Sequence, residues 1–212
     1  MKLGVFITFE GVDGSGKTSQ IALLREYLKG RGIPFCLTRE PGGTPIGERI
    51  RAILLDPEVG DLHMLTEMLL YAASRAELVH SLIIPALKQG KVVLSERYVD
   101  SSLAYQACAG GLSEADVRCV NRIATGGLEP DLTILLDLDP ETATNERLAG
   151  KKCDRIEERD IEYHRSVQRG YLKIAAACPD RFRVIDASRG ILEVHDEIIA
   201  LVSDFLKGRV ES

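Results

Sequence analysis

Between positions 11 and 18 the chain reads Gly11-Val12-Asp13-Gly14-Ser15-Gly16-Lys17-Thr18, a glycine-rich octapeptide closed by Lys-Thr. Glycines let a backbone curl until successive N–H groups converge on one anion, and a helix opening directly afterwards adds the positive end of its dipole. A lysine at the seventh position of such a loop can reach the β- and γ-phosphates of ATP, and the following threonine hydroxyl can hold magnesium. All eight residues are therefore candidate ATP ligands, with Lys17 a candidate catalytic residue. The chemistry is phosphate binding, which by itself suits a kinase, a GTPase switch or an ATP-driven motor. No N-K-x-D tetrapeptide is present to read guanine, and nothing else in the chain carries the signature of a motor or transporter ATPase.

Such a loop works only where a strand hands over to a helix. Short, mostly apolar runs at 5–9, 35–38, 92–95, 133–137 and 182–185 read as strands covered on both faces. Helical patterns fall between them at 17–30, 46–55, 62–89, 101–109, 113–125, 140–149, 161–177 and 191–206. The alternation predicts an α/β fold with a parallel sheet. In the long segment Leu65, Met68, Leu69, Ala72, Val79, Leu82 and Ile83 recur at helical spacing, an apolar stripe for the core or a subunit contact, and Pro85 should kink or end the helix.

The 212 residues fit one domain, 1–212, and no stretch approaches the roughly 20 apolar residues that span a bilayer. The first residues run straight into charged Glu10 without a cleavage site, which points to a cytoplasmic protein and not a membrane one. Five scattered cysteines with no C-x-x-C spacing suggest neither zinc nor disulfides. A net charge of −5 argues against a nucleic-acid partner, so an anionic ligand must meet a local basic pocket.

Five further segments supply that pocket. They are Thr38-Arg39-Glu40-Pro41-Gly42-Gly43-Thr44, Glu48-Arg49-Ile50-Arg51, Tyr71-Ala72-Ala73-Ser74-Arg75, Glu96-Arg97-Tyr98-Val99-Asp100-Ser101-Ser102-Leu103-Ala104-Tyr105-Gln106 and Glu129-Pro130-Asp131-Leu132-Thr133. With the phosphate loop, in this order and across most of the chain, they resemble bacterial thymidylate kinases. The resemblance implies a five-stranded parallel sheet flanked by helices, ATP with magnesium as donor, dTMP as acceptor with dTDP as product, and a homodimer built on helix packing.

At the carboxyl ends of parallel strands, Arg39 and Glu40 after the second and Glu96 and Arg97 after the third should face the same crevice as the phosphate loop. Arginines there can grip a phosphate with two N–H groups at once. The resemblance assigns the acceptor phosphate to Arg97 and Arg51 with Arg39 nearby, base stacking to Tyr71, the ribose 2′ position to Tyr105, and the 3′-hydroxyl to Asp13. Glu40 and Ser102 complete the acceptor set, Thr18 and Glu96 are the metal candidates, and Lys17, Arg97 and Asp13 are expected to serve catalysis. Where the family commonly has aspartate before the Arg-Tyr pair, this chain has Glu96, which lengthens the reach to a metal.

Hydrogen-bond inventories suggest how the base is read. Thymine shows a donor at N3 and an acceptor at O4, cytosine the reverse. A Gln106 amide can rotate to suit either, whereas Arg75 offers donors alone and should reject cytosine's amino group. The acceptor is already an anionic oxygen, so no general base is expected. The charged segment 150–160, with a single large aliphatic residue at Ile156, reads as a mobile surface element within a lid of about 147–160. Its cations Arg147, Lys151, Lys152 and Arg155 are candidates to meet ATP, with Arg155 the expected catalytic arginine and Arg147 an ATP ligand. Two alternatives remain at this point: a kinase for dUMP, UMP or a deoxynucleoside, and an ATP-dependent assembly protein that transfers no phosphate.

Overall fold

The computed structural model describes residues 4–147 and 154–210. Five strands form one parallel sheet in the order β2-β3-β1-β4-β5. They are β1 (Val5–Glu10), β2 (Phe35–Arg39), β3 (Val92–Glu96), β4 (Leu132–Asp137) and β5 (Phe182–Asp186), each within one or two residues of the run read from sequence. Alternation decides the layers. Val5, Ile7 and Phe9 point to one face, where Ile21, Leu24 and Leu28 of α1 (Lys17–Gly30) and Val194, Ile198 and Val202 of α9 (Ile191–Val210) cover them. Leu24 and Leu28 are fully buried there, each contributing about 1.5–3 kcal/mol of apolar burial. Phe6 and Val93 point to the other face and meet Leu78, Val79, Ile83 and Tyr98.

The remaining helices are α2 (Pro45–Leu55), α3 (Met64–Leu78), α4 (Ile84–Lys88), α5 (Val99–Ser102), α6 (Glu114–Thr125), α7 (Pro140–Arg147) and α8 (Ile161–Ala177). The expected long helix at 62–89 is divided. A π turn over Val79–Ile83 separates α3 from α4, so the missing N–H of Pro85 is absorbed by a widened turn and not by a sharp kink. The apolar stripe also divides. Met68, Ala72, Val79 and Ile83 are buried, while Leu65 and Leu69 are 46% and 50% exposed.

A second π turn, Leu103–Ala109, follows α5 and carries Tyr105 and Gln106. Within 154–160 the expected surface element is buried at Arg155 and Ile156, while Glu158 and Asp160 stay exposed. Ile156 enters the core with Leu103, Val167 and Tyr171, and Arg155 is only 8% exposed. Asp160 then caps α8, its side chain accepting from the Tyr163 N–H at 2.8 Å.

Candidate active site

The phosphate loop leaves β1 and closes onto α1 with Gly11, Gly14 and Gly16 all at positive φ. At Gly14 a side chain is doubly excluded, because φ is 86° and an added Cβ would sit 2.4 Å from the Ala143 carbonyl oxygen of α7. Lys17 folds back over the loop and its Nζ donates to the carbonyls of Gly11 at 3.0 Å and Val12 at 2.7 Å. Burial, then the nearby Arg97, lowers its pKa to about 8.

Two cavities meet at this loop. The larger, about 450 Å³, gathers most of the acceptor residues expected from sequence: Asp13, Arg39, Glu40, Arg51, Tyr71, Arg97, Ser102, Tyr105 and Gln106, with Lys17, Thr18 and Glu96 at the loop end. Its volume suits a small ligand. The other, about 360 Å³, is lined by Gly14, Ser15, Gly16, Ser19, Gln20 and Arg189 among others. Gly14 and Gly16 thus border both.

Arg97 follows the end of β3 and is, among the described residues, the one non-glycine at positive φ, 69°. That conformation costs about 1–3 kcal/mol and turns the side chain across the sheet end. Its Nη2 donates to Asp13 Oδ1 at 2.6 Å and the Tyr105 hydroxyl at 3.0 Å, and its Nη1 to Ser101 Oγ at 3.2 Å and the Tyr171 hydroxyl at 3.1 Å. Tyr105 also donates to Asp13 Oδ2 at 3.0 Å. Burial would raise the Asp13 carboxyl, but Arg97 and then Lys17 outweigh it and hold the group well below the usual carboxylate range. Asp13 is therefore a fixed anion that accepts hydrogen bonds and does not take up a proton.

Behind Arg97 lies Glu10, to which the sequence alone assigns no role. It accepts from the Tyr98 N–H at 2.8 Å, Ser101 Oγ at 2.6 Å and the Tyr171 hydroxyl at 2.8 Å. Burial first, then Asp100, raises its pKa to about 7, against the lowering effect of Ser101, Arg97 and Tyr171. Its signal in the sequence was a carboxylate ending an otherwise apolar strand.

At the metal candidates, the Thr18 hydroxyl donates to Glu96 Oε2 at 2.9 Å. β3 stays paired through Glu96 with both Phe9 and Arg39, so the longer side chain does not displace the strand end. Both are hard oxygen donors beside the loop lysine, the chemistry magnesium takes. Among the described residues no cluster of three or more His, Cys, Asp or Glu could hold a metal, so a cation here would complete its shell with phosphate and water oxygens.

Three residues depart from expectation. Arg75 is 1% exposed and does not line the cavity. Its Nε donates to Glu40 Oε2 at 2.8 Å, Nη1 to Ser102 Oγ at 3.0 Å and Asn121 Oδ1 at 2.6 Å, and Nη2 to the Tyr98 carbonyl at 3.0 Å while standing 2.6 Å from Glu40 Oε2. Four hydrogen bonds and the ion pair with Glu40 all go to protein groups, so in this arrangement the guanidinium faces the protein and not a base. Arg155 likewise turns away from the phosphate loop, its Nε donating to the Leu54 carbonyl at 2.9 Å and its Nη2 to Glu67 Oε2 at 2.6 Å. Gln106 cannot rotate freely, because its Nε2 donates to Glu67 Oε1 at 3.1 Å. The side chain of Arg147, with Lys151 and Lys152, lies outside the described residues.

Other expected contacts are partly taken. Arg39 is half exposed and paired with Glu48 at 3.0 Å, an exposed pair worth about 0–1 kcal/mol and easily exchanged for a phosphate. Arg51 donates to the Pro41 carbonyl at 2.9 Å. Glu40 keeps one buried oxygen, Oε1, with no hydrogen-bond partner among the described residues, and burial raises its pKa.

Comparison with known proteins agrees with the geometry. Residues 9–198 match the family model for thymidylate kinase. A thymidylate kinase of Symbiobacterium thermophilum is 52% identical over 207 residues, covering 98% of this chain and 96% of the relative. One from Deinococcus radiodurans is 48% identical over 204 residues, covering 96% and 98%. The crystal structure of a thymidylate kinase from Ehrlichia chaffeensis superposes with a TM-score of 0.77 at 34% identity, covering 94% of this chain and 98% of that one.

Proposed function

This chain belongs to the thymidylate kinase family and transfers the γ-phosphoryl group of ATP to dTMP, and from that premise we propose how its residues divide the work. The observation that carries the proposal is a pair of cavities sharing one phosphate loop, with Arg97 and Asp13 on the side of the larger. ATP takes the loop amides of 11–18 and the smaller cavity, while dTMP takes the larger. Lys17 leaves the Gly11 and Val12 carbonyls for the β- and γ-phosphates, and Thr18 with Glu96 would hold magnesium, which when bound offsets phosphate charge.

On the acceptor side Arg97 and Arg51 bind the phosphate and Arg39 exchanges Glu48 for it. Tyr71 stacks on the base, Tyr105 bounds the ribose and Asp13 accepts from its 3′-hydroxyl. Gln106 reads N3 of the base, and Arg75 supports the pocket through Ser102 and Glu40. The attacking oxygen is already anionic, so positioning and charge compensation by Lys17 and Arg97 do the work and no proton need be removed. The exposed Leu65 and Leu69 on α3 support a homodimer through that helix. No described helix is long and apolar enough to cross a membrane, and with the net charge of −5 this supports a cytoplasmic enzyme without a nucleic-acid partner.

An ADP-release assay with ATP, magnesium and a panel of dTMP, dUMP, UMP and dCMP tests the acceptor assignment. Turnover is expected to be fastest with dTMP and close to background with dCMP. Equal turnover with dTMP and dCMP would remove the base-reading role given to Gln106.

A further inference from the structure

Glu67 is a fully enclosed carboxylate near the acceptor cavity, 0% exposed, yet it does not line it. It stands near the start of α3, and three N–H donors converge on it from two other parts of the chain. Gln106 Nε2 approaches Oε1 at 3.1 Å, while Nη2 of Arg155 and Nη2 of Arg159 approach Oε2 at 2.6 and 2.7 Å. The two arginines belong to the 154–160 segment, which is also tied to the end of α2 by the Arg155 N–H and Nε on the Leu55 and Leu54 carbonyls. Asp154, Ile156 and Glu157 of that segment line the same cavity as Gln106.

We propose that Glu67 is a positioning residue for base selection: it holds the Gln106 amide in one orientation and makes that orientation depend on the docked 154–160 segment. The argument rests on what each group can do. A carboxylate only accepts and a guanidinium only donates. With Oε2 shared by two guanidinium groups, Oε1 is left for Gln106, which can answer it only with its NH2 end. The amide's carbonyl end is then the one available to a ligand, and an acceptor there matches the N3–H of thymine and opposes the N3 lone pair of cytosine. A glutamine free to turn would suit both bases. Selectivity would therefore come from a buried group that never touches the nucleotide.

The inference rests on the proposed role of Gln106, so the test separates the two. The ratio of kcat/KM for dTMP over dCMP is measured in the wild type, Glu67→Gln, Gln106→Ala and the double variant, after circular dichroism has shown each to be folded. Glu67→Gln can present either end of its own amide to Gln106, so the ratio is expected to fall about tenfold, the effect of one mispaired buried hydrogen bond. In the Gln106→Ala background the same substitution should change the ratio by less than about twofold. An unchanged ratio in Glu67→Gln, with a lowered ratio in Gln106→Ala, overturns the role of Glu67 while keeping that of Gln106. An unchanged ratio in Gln106→Ala overturns the base reading itself and this inference with it. Equal losses from Glu67→Gln in both backgrounds mean that Glu67 merely supports the fold, which also overturns it. If Glu67→Gln does not fold, Glu67→Asp carries the same cycle, since it keeps the charge between the arginines and withdraws the carboxylate by about one C–C bond.

Discussion

At the scale of the residue, the site is a set of buried charges whose partners determine what each can do. Asp13 is held ionised by Arg97 and Lys17, which removes it as a base and keeps it as an acceptor. Lys17 is the opposite case, a cation that burial and Arg97 press down to about 8. Polyphosphate beside it would favour the charged form and raise that value. Binding of ATP near pH 8 should therefore take up roughly half a proton per site, and almost none at pH 6.5. Calorimetry in two buffers of different ionisation enthalpy measures the uptake directly. Lys17→Ala should abolish it and reduce kcat by about two to three orders of magnitude with the fold intact. Uptake that persists in Lys17→Ala would assign the proton to another group.

At the scale of the element, α3 carries three tasks on one helix. Its inward face packs Met68 and Ala72, its buried polar positions Glu67 and Arg75 tie it to the 154–160 segment, to Glu40 just after β2 and to α6, and Leu65 and Leu69 are left in solvent. Two half-exposed leucines one turn apart on an otherwise satisfied helix fit a two-fold contact, where each copy offers the same face. The 212-residue chain is expected to sediment as a dimer at micromolar concentration, and Leu69→Glu as a monomer. A wild-type monomer under those conditions would refute the interface. The π turn of Leu103–Ala109 matters at this scale too, because it buries Leu103 through Ala107 consecutively, which an ordinary helix packed on one side cannot do.

At the scale of the whole molecule, Glu10 joins the central strand to the loop after β3 and to α8 through Tyr98, Ser101 and Tyr171. Its pKa is raised from 4.5 to about 7, so the folded protein binds a proton there that the unfolded chain has released. Stability from this group is fully present below about pH 4.5 and is lost as pH rises to about 7, with a slope of at most about 1.4 kcal/mol per pH unit. Urea midpoints at pH 5, 6, 7 and 8 should show that fall for the wild type, and a flatter profile for Glu10→Gln, which does not titrate. Parallel profiles in the two proteins would show that another group carries the pH dependence.

The sequence by itself determined the strands, the phosphate loop and most of the acceptor pocket. These rest on local rules: an apolar run bounded by turns reads as a strand, glycines at fixed offsets read as a loop, and residues at the ends of parallel strands share one edge. Arg97 was found in that way, while Asp13, Tyr105 and Gln106 entered through the resemblance to thymidylate kinases, and one cavity gathers all four. What only the tertiary structure decided is where long polar side chains spend their donors. Arg75 reads in sequence as a base contact and Arg155 as a catalytic cation, yet Arg75 reaches Glu40 35 positions away and Arg155 reaches Glu67 88 positions away. The 154–160 segment reads as too charged to bury, yet its Arg155 and Ile156 do, because Glu67 and the Leu54 carbonyl satisfy the arginine while Ile156 fills the core. A buried guanidinium or carboxylate must find partners, and those partners lie in elements that only folding brings together.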